Sequence, residues 1–271
     1  MVIWRRLAFL SPCLLAAALA VACTETSKSS TSSGGPPPGE LDDDGGTKDV
    51  GPNEEASAYV VAGTIVGTNG EPLPDVEVYA DNQLVEGSTL VAYTDSAGRY
   101  RLELPETATT WAMSATHTVE YHGTSYSFPL HPENDRVFAG NTGAIRNFSW
   151  KLTGTRPDDG NYGAFVVGYT EPAEFGFELS DVELTLEPDG PLVDGSNGKA
   201  ITKKLERTPE GDAIDDVPLG RYTISAKLPS GPLVVRIRNG GGDYASSITA
   251  DFDAPYGSLP IYQIDVEMKQ P

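Results

Sequence analysis

The side chains with the most versatile chemistry fall in one segment, which holds all three histidines of the chain, His117, His122 and His131, beside Glu120 and Glu133. Imidazole and carboxylate groups bind zinc or move protons when their spacing turns them toward one point. Here the spacing opposes that. His117 and Glu120 stand three apart in a stretch that alternates like a strand, so they face opposite sides of it. No zinc-binding spacing and no Ser or Cys nucleophile arrangement accompanies them. No catalytic residue, metal site or cofactor is therefore expected. Paired carboxylates for glycoside hydrolysis stay open among 39 acidic residues, because the separation that matters there is spatial. Asn239-Gly240-Gly241-Gly242-Asp243 lacks the following helix and the Gly-Lys-Ser/Thr ending of a phosphate-cradling loop, and reads as a hairpin connection.

Two other sets of residues point to binding. Trp111, Tyr121, Tyr126, Phe128, Phe138 and Trp150 share the histidine segment. Such rings stack on sugars or peptides when exposed and are core when they point inward. Period-two placement makes core the default, with Tyr79, Tyr93 and Tyr121 the better surface residues; these three and Trp111 form a candidate ligand-binding surface. The second set is Lys199, Lys203, Lys204 and Arg207, a basic cluster in a chain of formal net charge −20. It falls in an expected loop around Pro188 to Gly211, where a sandwich commonly carries recognition, and would meet an acidic partner or polysaccharide. The plainer reading, which the composition favours, is that these lysines guard an edge strand against unwanted pairing.

Both sets need a scaffold of short strands. Tyr59 to Val66 is strand-like, then Val76, Val78 and Ala80 share a face, and Leu90 to Tyr93 forms a third strand. Thr94-Asp95-Ser96-Ala97-Gly98-Arg99-Tyr100 reads as a tight turn, with Asp95 capping backbone N–H groups and Gly98 supplying a positive φ. Tyr100, Leu102 and Leu104 then alternate inward. Trp111, Met113 and Ala115, then Tyr126, Phe128 and Leu130, and finally Phe148, Trp150 and Leu152 continue the pattern. A second series follows: Phe165 to Tyr169, Val182 to Leu186, Tyr222 to Leu228, Val235 with Ile237, Ile248 with Ala250, and Tyr262 to Met268. No amphipathic helix is evident, so the chain is expected to be all-β. Gly220-Arg221-Tyr222 echoes Gly98-Arg99-Tyr100, and Asp181-Val182-Glu183-Leu184 echoes Asp75-Val76-Glu77-Val78. Two related modules are expected, at 59–154 and 162–268, joined by the turn-rich Thr155 to Asn161. Gly220 and Tyr222 are then the structural counterparts of Gly98 and Tyr100.

Val61-Ala62-Gly63-Thr64-Ile65-Val66, Asn69-Gly70-Glu71-Pro72-Leu73-Pro74-Asp75-Val76-Glu77-Val78 and Thr94 to Leu102 together resemble the carboxypeptidase regulatory-like domain. The resemblance covers about residues 60–105 and implies a transthyretin-like or immunoglobulin-like β-sandwich. It further implies that Asp95, Gly98 and Tyr100 are structural, and it carries no peptidase activity, since the zinc-peptidase pattern is lacking.

The amino-terminal residues address placement. Arg5 and Arg6 precede an apolar run from Leu7 to Ala22, and the chain turns polar after Cys23, as in a secretory signal spanning 1–22. Ala18-Leu19-Ala20-Val21-Ala22-Cys23 resembles the lipobox of bacterial lipoproteins, with Ala20 where Leu is commonest; the resemblance implies that Cys23 receives diacylglycerol. A plain cleavage site after Ala22 would leave Cys23 a bystander. With Cys13 lost in the signal, no intrachain disulfide is expected. Thr24 after the Cys, by resemblance to enterobacterial sorting, favours the outer membrane. Residues 23–58 are Ser-, Gly-, Pro- and Asp-rich and read as a disordered acidic tether, with a reach on the order of 30 Å.

The charge balance opposes nucleic-acid binding and adsorption to anionic headgroups, so a membrane partner is expected only through the lipid. The expected function is that of a non-enzymatic cell-envelope lipoprotein whose sandwiches bind a glycan or an envelope protein, or build a structure. The alternatives are an accessory protein of a secreted hydrolase system and a hydrolase whose site the sequence hides.

Overall fold

A computed structural model describes residues 56–158, 160–173, 176–257 and 259–271. The expected signal, Cys23 and nearly all of the expected tether lie outside them. The described chain is all-β, its only helical turns being the three-residue 3-10 turns Gly140–Thr142 and Leu179–Asp181.

The first half contributes β1 (Val60–Val66), β2 (Glu77–Asn82), β3 (Thr89–Tyr93), β4 (Arg99–Glu103), β5 (Thr110–Tyr121), β6 (Thr124–Leu130), β7 (Phe138–Ala139), β8 (Ala144–Ile145) and β9 (Phe148–Ser149). One sheet has the order β4-β1-β8, with β9 also on β1; the other runs β3-β2-β5-β6, with β7 on β5. Alternation places Val78 and Ala80 of β2 and Trp111, Met113 and Ala115 of β5 inside, against Val61 and Ile65 of β1 and Tyr100 and Leu102 of β4. Gly63 is required by close approach, because a Cβ there would lie 1.8 Å from the Arg146 carbonyl oxygen. The Tyr100 hydroxyl donates to that same oxygen at 2.6 Å.

The Asp95 turn forms as expected. Its carboxylate accepts from the Ala97 and Arg99 amides at 2.8 and 2.9 Å, and Gly98 has φ +69°. Thr94, buried, accepts from the Val76 amide at 2.9 Å and donates to the Leu73 carbonyl at 2.6 Å, tying the turn to the start of β2.

The second half contributes β10 (Ala164–Thr170), β11 (Glu183–Pro188), β12 (Ile201–Lys204), β13 (Glu206–Thr208), β14 (Gly211–Val217), β15 (Tyr222–Leu228), β16 (Gly231–Pro232), β17 (Val234–Ile237), β18 (Ile248–Ala250) and β19 (Gln263–Lys269). Its sheets run β13-β14-β10-β19-β17 and β12-β11-β15-β16, with β18 also on β15. The fold is thus two tandem β-sandwiches, and no strand of one half pairs with a strand of the other among the described residues.

The halves repeat, but not in the register the Gly-Arg-Tyr echo implies. In each, a first strand pairs antiparallel with one neighbour and parallel with a late strand: β1 with β4 and β8, β10 with β14 and β19. The Asp-Val-Glu strands β2 and β11 correspond, each paired with the strand that follows it, β3 or β12. Tyr100, however, opens β4, which pairs with β1, whereas Tyr222 opens β15, which pairs with β11 and so occupies the place of β5. Gly220 and Tyr222 are therefore not the counterparts of Gly98 and Tyr100. Both tyrosines are buried, so alternation places the side chain correctly while the tripeptide misplaces the strand. The additional residues between Asp181 and Gly220 are likewise not one loop: they form β12, β13 and β14.

Candidate functional site

The β5–β6 hairpin places one half against the other. Its two-residue turn, His122-Gly123, has φ +50° and +82°, as a tight hairpin turn of this length demands. Just before that turn, the Tyr121 hydroxyl donates to the Pro191 carbonyl at 2.8 Å and accepts from the Arg221 amide at 3.1 Å. His122 Nδ1 lies 2.7 Å from Asp251, which also holds Arg221 at 3.2 Å. Past the turn, the buried Tyr126 donates to the Phe252 carbonyl at 2.7 Å, and burial pushes its phenol up to about 12. Tyr262 answers from the second half: its hydroxyl accepts from the Ser127 amide at 2.7 Å and donates to the Ser127 carbonyl at 3.0 Å. The linker is held too, since the Asp216 carboxylate accepts from Gly154 at 2.9 Å and Gly163 at 3.1 Å, the residues that bracket it.

Beside this seam lies a cleft of about 520 Å³, a volume typical of small-molecule sites, which favour such junctions. Phe128 of β6, Phe165 of β10, Tyr162 and Tyr262 supply aromatic walls. Lys151, Arg156 and Arg207 supply cations, and Glu210 and Asp215 supply carboxylates. Arg156 is paired with Asp158 at 3.4 Å and Arg207 with Asp212 at 3.0 Å. Asp215 accepts from the Asn161 amide at 3.0 Å. Lys151 Nζ instead sits over the Tyr162 ring, 5.6 Å from its centre. One carboxylate oxygen of Glu210 is buried and has no hydrogen-bond partner. Burial raises the Tyr162 and Tyr262 phenols, which keeps both as neutral donors at neutral pH. A second hollow of about 450 Å³ lies along the same seam, bordered by Thr68, Lys151, Asp194 and Lys199. Burial works against the charge of Asp194, yet hydrogen bonds from Ser196 and from Thr68, at 2.6 Å, hold its carboxyl below the usual range.

The structure does not gather the surface expected from sequence. Trp111 is fully buried in the first sandwich and is no surface residue; its inward register beside Met113 and Ala115 puts it in the core. Tyr121 is spent on the seam. Tyr79 and Tyr93 lie on the outer face of β2 and β3, both donating to Glu77, at 2.5 and 2.9 Å. These bonds hold the Glu77 carboxyl below its usual range and push Tyr79 up to about 12. The basic residues disperse. Lys203 and Lys204 are exposed on β12, an edge strand; Lys199 borders the second hollow; Arg207 lies on β13 in the other sheet and borders the cleft. His117, His122 and His131 also part: His117 packs edge-on against Trp150 at 4.7 Å, His122 joins the seam, and His131 meets the Tyr162 ring at 5.8 Å.

Of the cleft's residues, sequence reasoning reached Arg207 and missed Lys151, Tyr162, Glu210 and Tyr262. The available signal was a cation and a ring flanking the linker, Lys151 and Tyr162, since a junction between two modules is where a cleft forms.

No protein-family model matches the chain, and no curated protein matches it in sequence. Among solved structures, the chain is similar to the TIE protein of Bacillus anthracis, at 14% identity and a TM-score of 0.34 over 79% of this chain and 34% of that one. A streptococcal ancillary pilin shows 10% identity and a TM-score of 0.26, over 79% of this chain and 62% of that one. The major pilin of Streptococcus pyogenes shows 11% and 0.23, over 80% and 99%. The chain thus spans about a third of the first and under two thirds of the second. At these scores the likenesses bear no functional argument.

Proposed function

We propose that this chain is a non-enzymatic binding protein of the bacterial cell envelope, anchored through Cys23, whose tandem sandwiches hold a ligand in the cleft between them. The first sandwich is assigned to the carboxypeptidase regulatory-like domains on the motif at 60–105; the lipobox-like residues support the anchor, and Thr24 after Cys23 supports placement at the outer membrane. The observation that carries the binding reading is the cleft of about 520 Å³, walled by aromatic rings at a junction fixed by hydrogen bonds from both halves. A fixed junction presents its rings without an ordering cost on binding.

The test is titration of neutral and acidic oligosaccharides onto the full-length, detergent-solubilised chain. Binding is expected, and Tyr162→Ala should abolish it without lowering the melting temperature by more than a few degrees. No binder, or binding indifferent to Tyr162→Ala, overturns the reading.

One observation favours a second reading. Glu210 and Asp215 both border the cleft, and two carboxylates are what glycoside hydrolysis uses. Release of reducing ends from a bound oligosaccharide, lost on Glu210→Gln, would make the chain a hydrolase.

A further inference from the structure

We infer that the ligand of the inter-module cleft is an acidic oligosaccharide, one whose sugars carry both hydroxyls and a carboxylate, as uronates do. This rests on the binding reading above and specifies the chemistry of the same site.

Three observations carry it. The first is an available positive charge. The cleft brings three cations together with two carboxylates in a chain whose formal net charge is −20. Arg156 and Arg207 already face Asp158 and Asp212. Lys151 has no carboxylate within ion-pair distance among the described residues; it lies over the Tyr162 ring. An ammonium so placed is free to take a ligand carboxylate, and the ring beneath it restricts where that carboxylate sits.

The second is a pair of acceptors. Glu210 and Asp215 border the cleft. A ligand hydroxyl is the neutral donor that fits them: it pairs with a carboxylate without bringing a second charge to a site that Lys151 reserves for an anion. The third is the wall itself. Phe165 is half-buried and makes no ring contact among the described residues, and Tyr162 and Tyr262, also half-buried, border the same cleft. Partly exposed rings suit the C–H face of a pyranose. A uronate residue combines that face, the hydroxyls and the carboxylate.

An acidic peptide shares the charge but not the rest. It would pair its backbone with a sheet edge, and its amides, not hydroxyls, would have to reach Glu210. We take it as the rival outcome.

The experiment compares three probes on the full-length, detergent-solubilised chain by calorimetry: an oligogalacturonate, its carboxyl-reduced neutral counterpart, and a glutamate oligopeptide. The oligogalacturonate should bind about tenfold tighter than the neutral form, the effect of one charge-assisted hydrogen bond. Lys151→Gln should erase that difference, so that the two sugars bind with equal affinity; Lys151 is exposed, so the melting temperature should not change. Glu210→Gln should weaken both sugars together. Equal affinity for both sugars, or discrimination that survives Lys151→Gln, overturns the inference while the binding reading stands. Binding of the peptide alone overturns it in favour of a protein partner. Failure of every probe at this cleft removes both.

Discussion

His117 shows how a residue typical of catalysis is used for packing. It stands on β5, its ring against Trp150, and burial lowers its pKa below the ordinary 6.5. In the unfolded chain the same ring takes up a proton near 6.5, so below that pH the unfolded state holds more protons than the folded one. Stability is therefore fully present above 6.5 and declines as pH falls toward the lowered folded value, where the decline ends. Melting temperatures measured from roughly pH 7 to pH 5 should fall more steeply for the native chain than for His117→Gln. Parallel profiles would show that the imidazole stays solvated. Sequence parity separated His117 from Glu120 correctly, since alternation along a strand is a local property. What surrounds each face is not local, and nothing near Trp111 in sequence distinguishes its fully buried ring from the exposed Tyr93.

At the scale of elements, the β5–β6 hairpin carries the most consequence. Alternation made its strands legible, and its aromatic content marked it as unusual. Its partner was not legible, because Tyr126 finds Phe252 and Ser127 finds Tyr262 across more than a hundred residues. Of the four residues expected to form a ligand surface, Tyr121 is instead part of the contact between the sandwiches, where Tyr126 joins it. Tyr126→Phe should destabilise the chain by about 1–3 kcal/mol, since it strips a buried carbonyl of its donor. Urea unfolding checks this; a loss under a few tenths of a kcal/mol would mean that water takes the hydroxyl's place.

The repeat teaches the same limit. The Asp-Val-Glu strands do correspond, because both are central strands built to one burial pattern. Gly-Arg-Tyr marks different strands in the two halves, because a turn glycine followed by an inward tyrosine opens any strand of a sandwich. The lysines on β12 follow from their element as well: on an unpaired edge they discourage intermolecular pairing, the more modest of the two readings of that cluster.

At the scale of the whole molecule, anchoring and binding are separable. The lipid on Cys23 is proposed to hold the chain at the membrane, while the cleft belongs to the folded halves. Cys23→Ser should abolish incorporation of labelled lipid and release the chain from the membrane fraction, with the melting temperature of the folded part unchanged. Membrane retention by that variant would refute the anchor.

The sequence by itself determined the all-β class, the two-sandwich architecture, the Asp95 turn and the inward set of nearly every strand, because period-two burial and turn chemistry are written in neighbouring residues. Only the tertiary structure decided which strands of the halves correspond, that the aromatic hairpin is a docking element, and that a cleft exists. Lys151, Tyr162, Glu210 and Tyr262 meet there across the chain, and their meeting depends on how two sandwiches seat against each other, which no local pattern encodes.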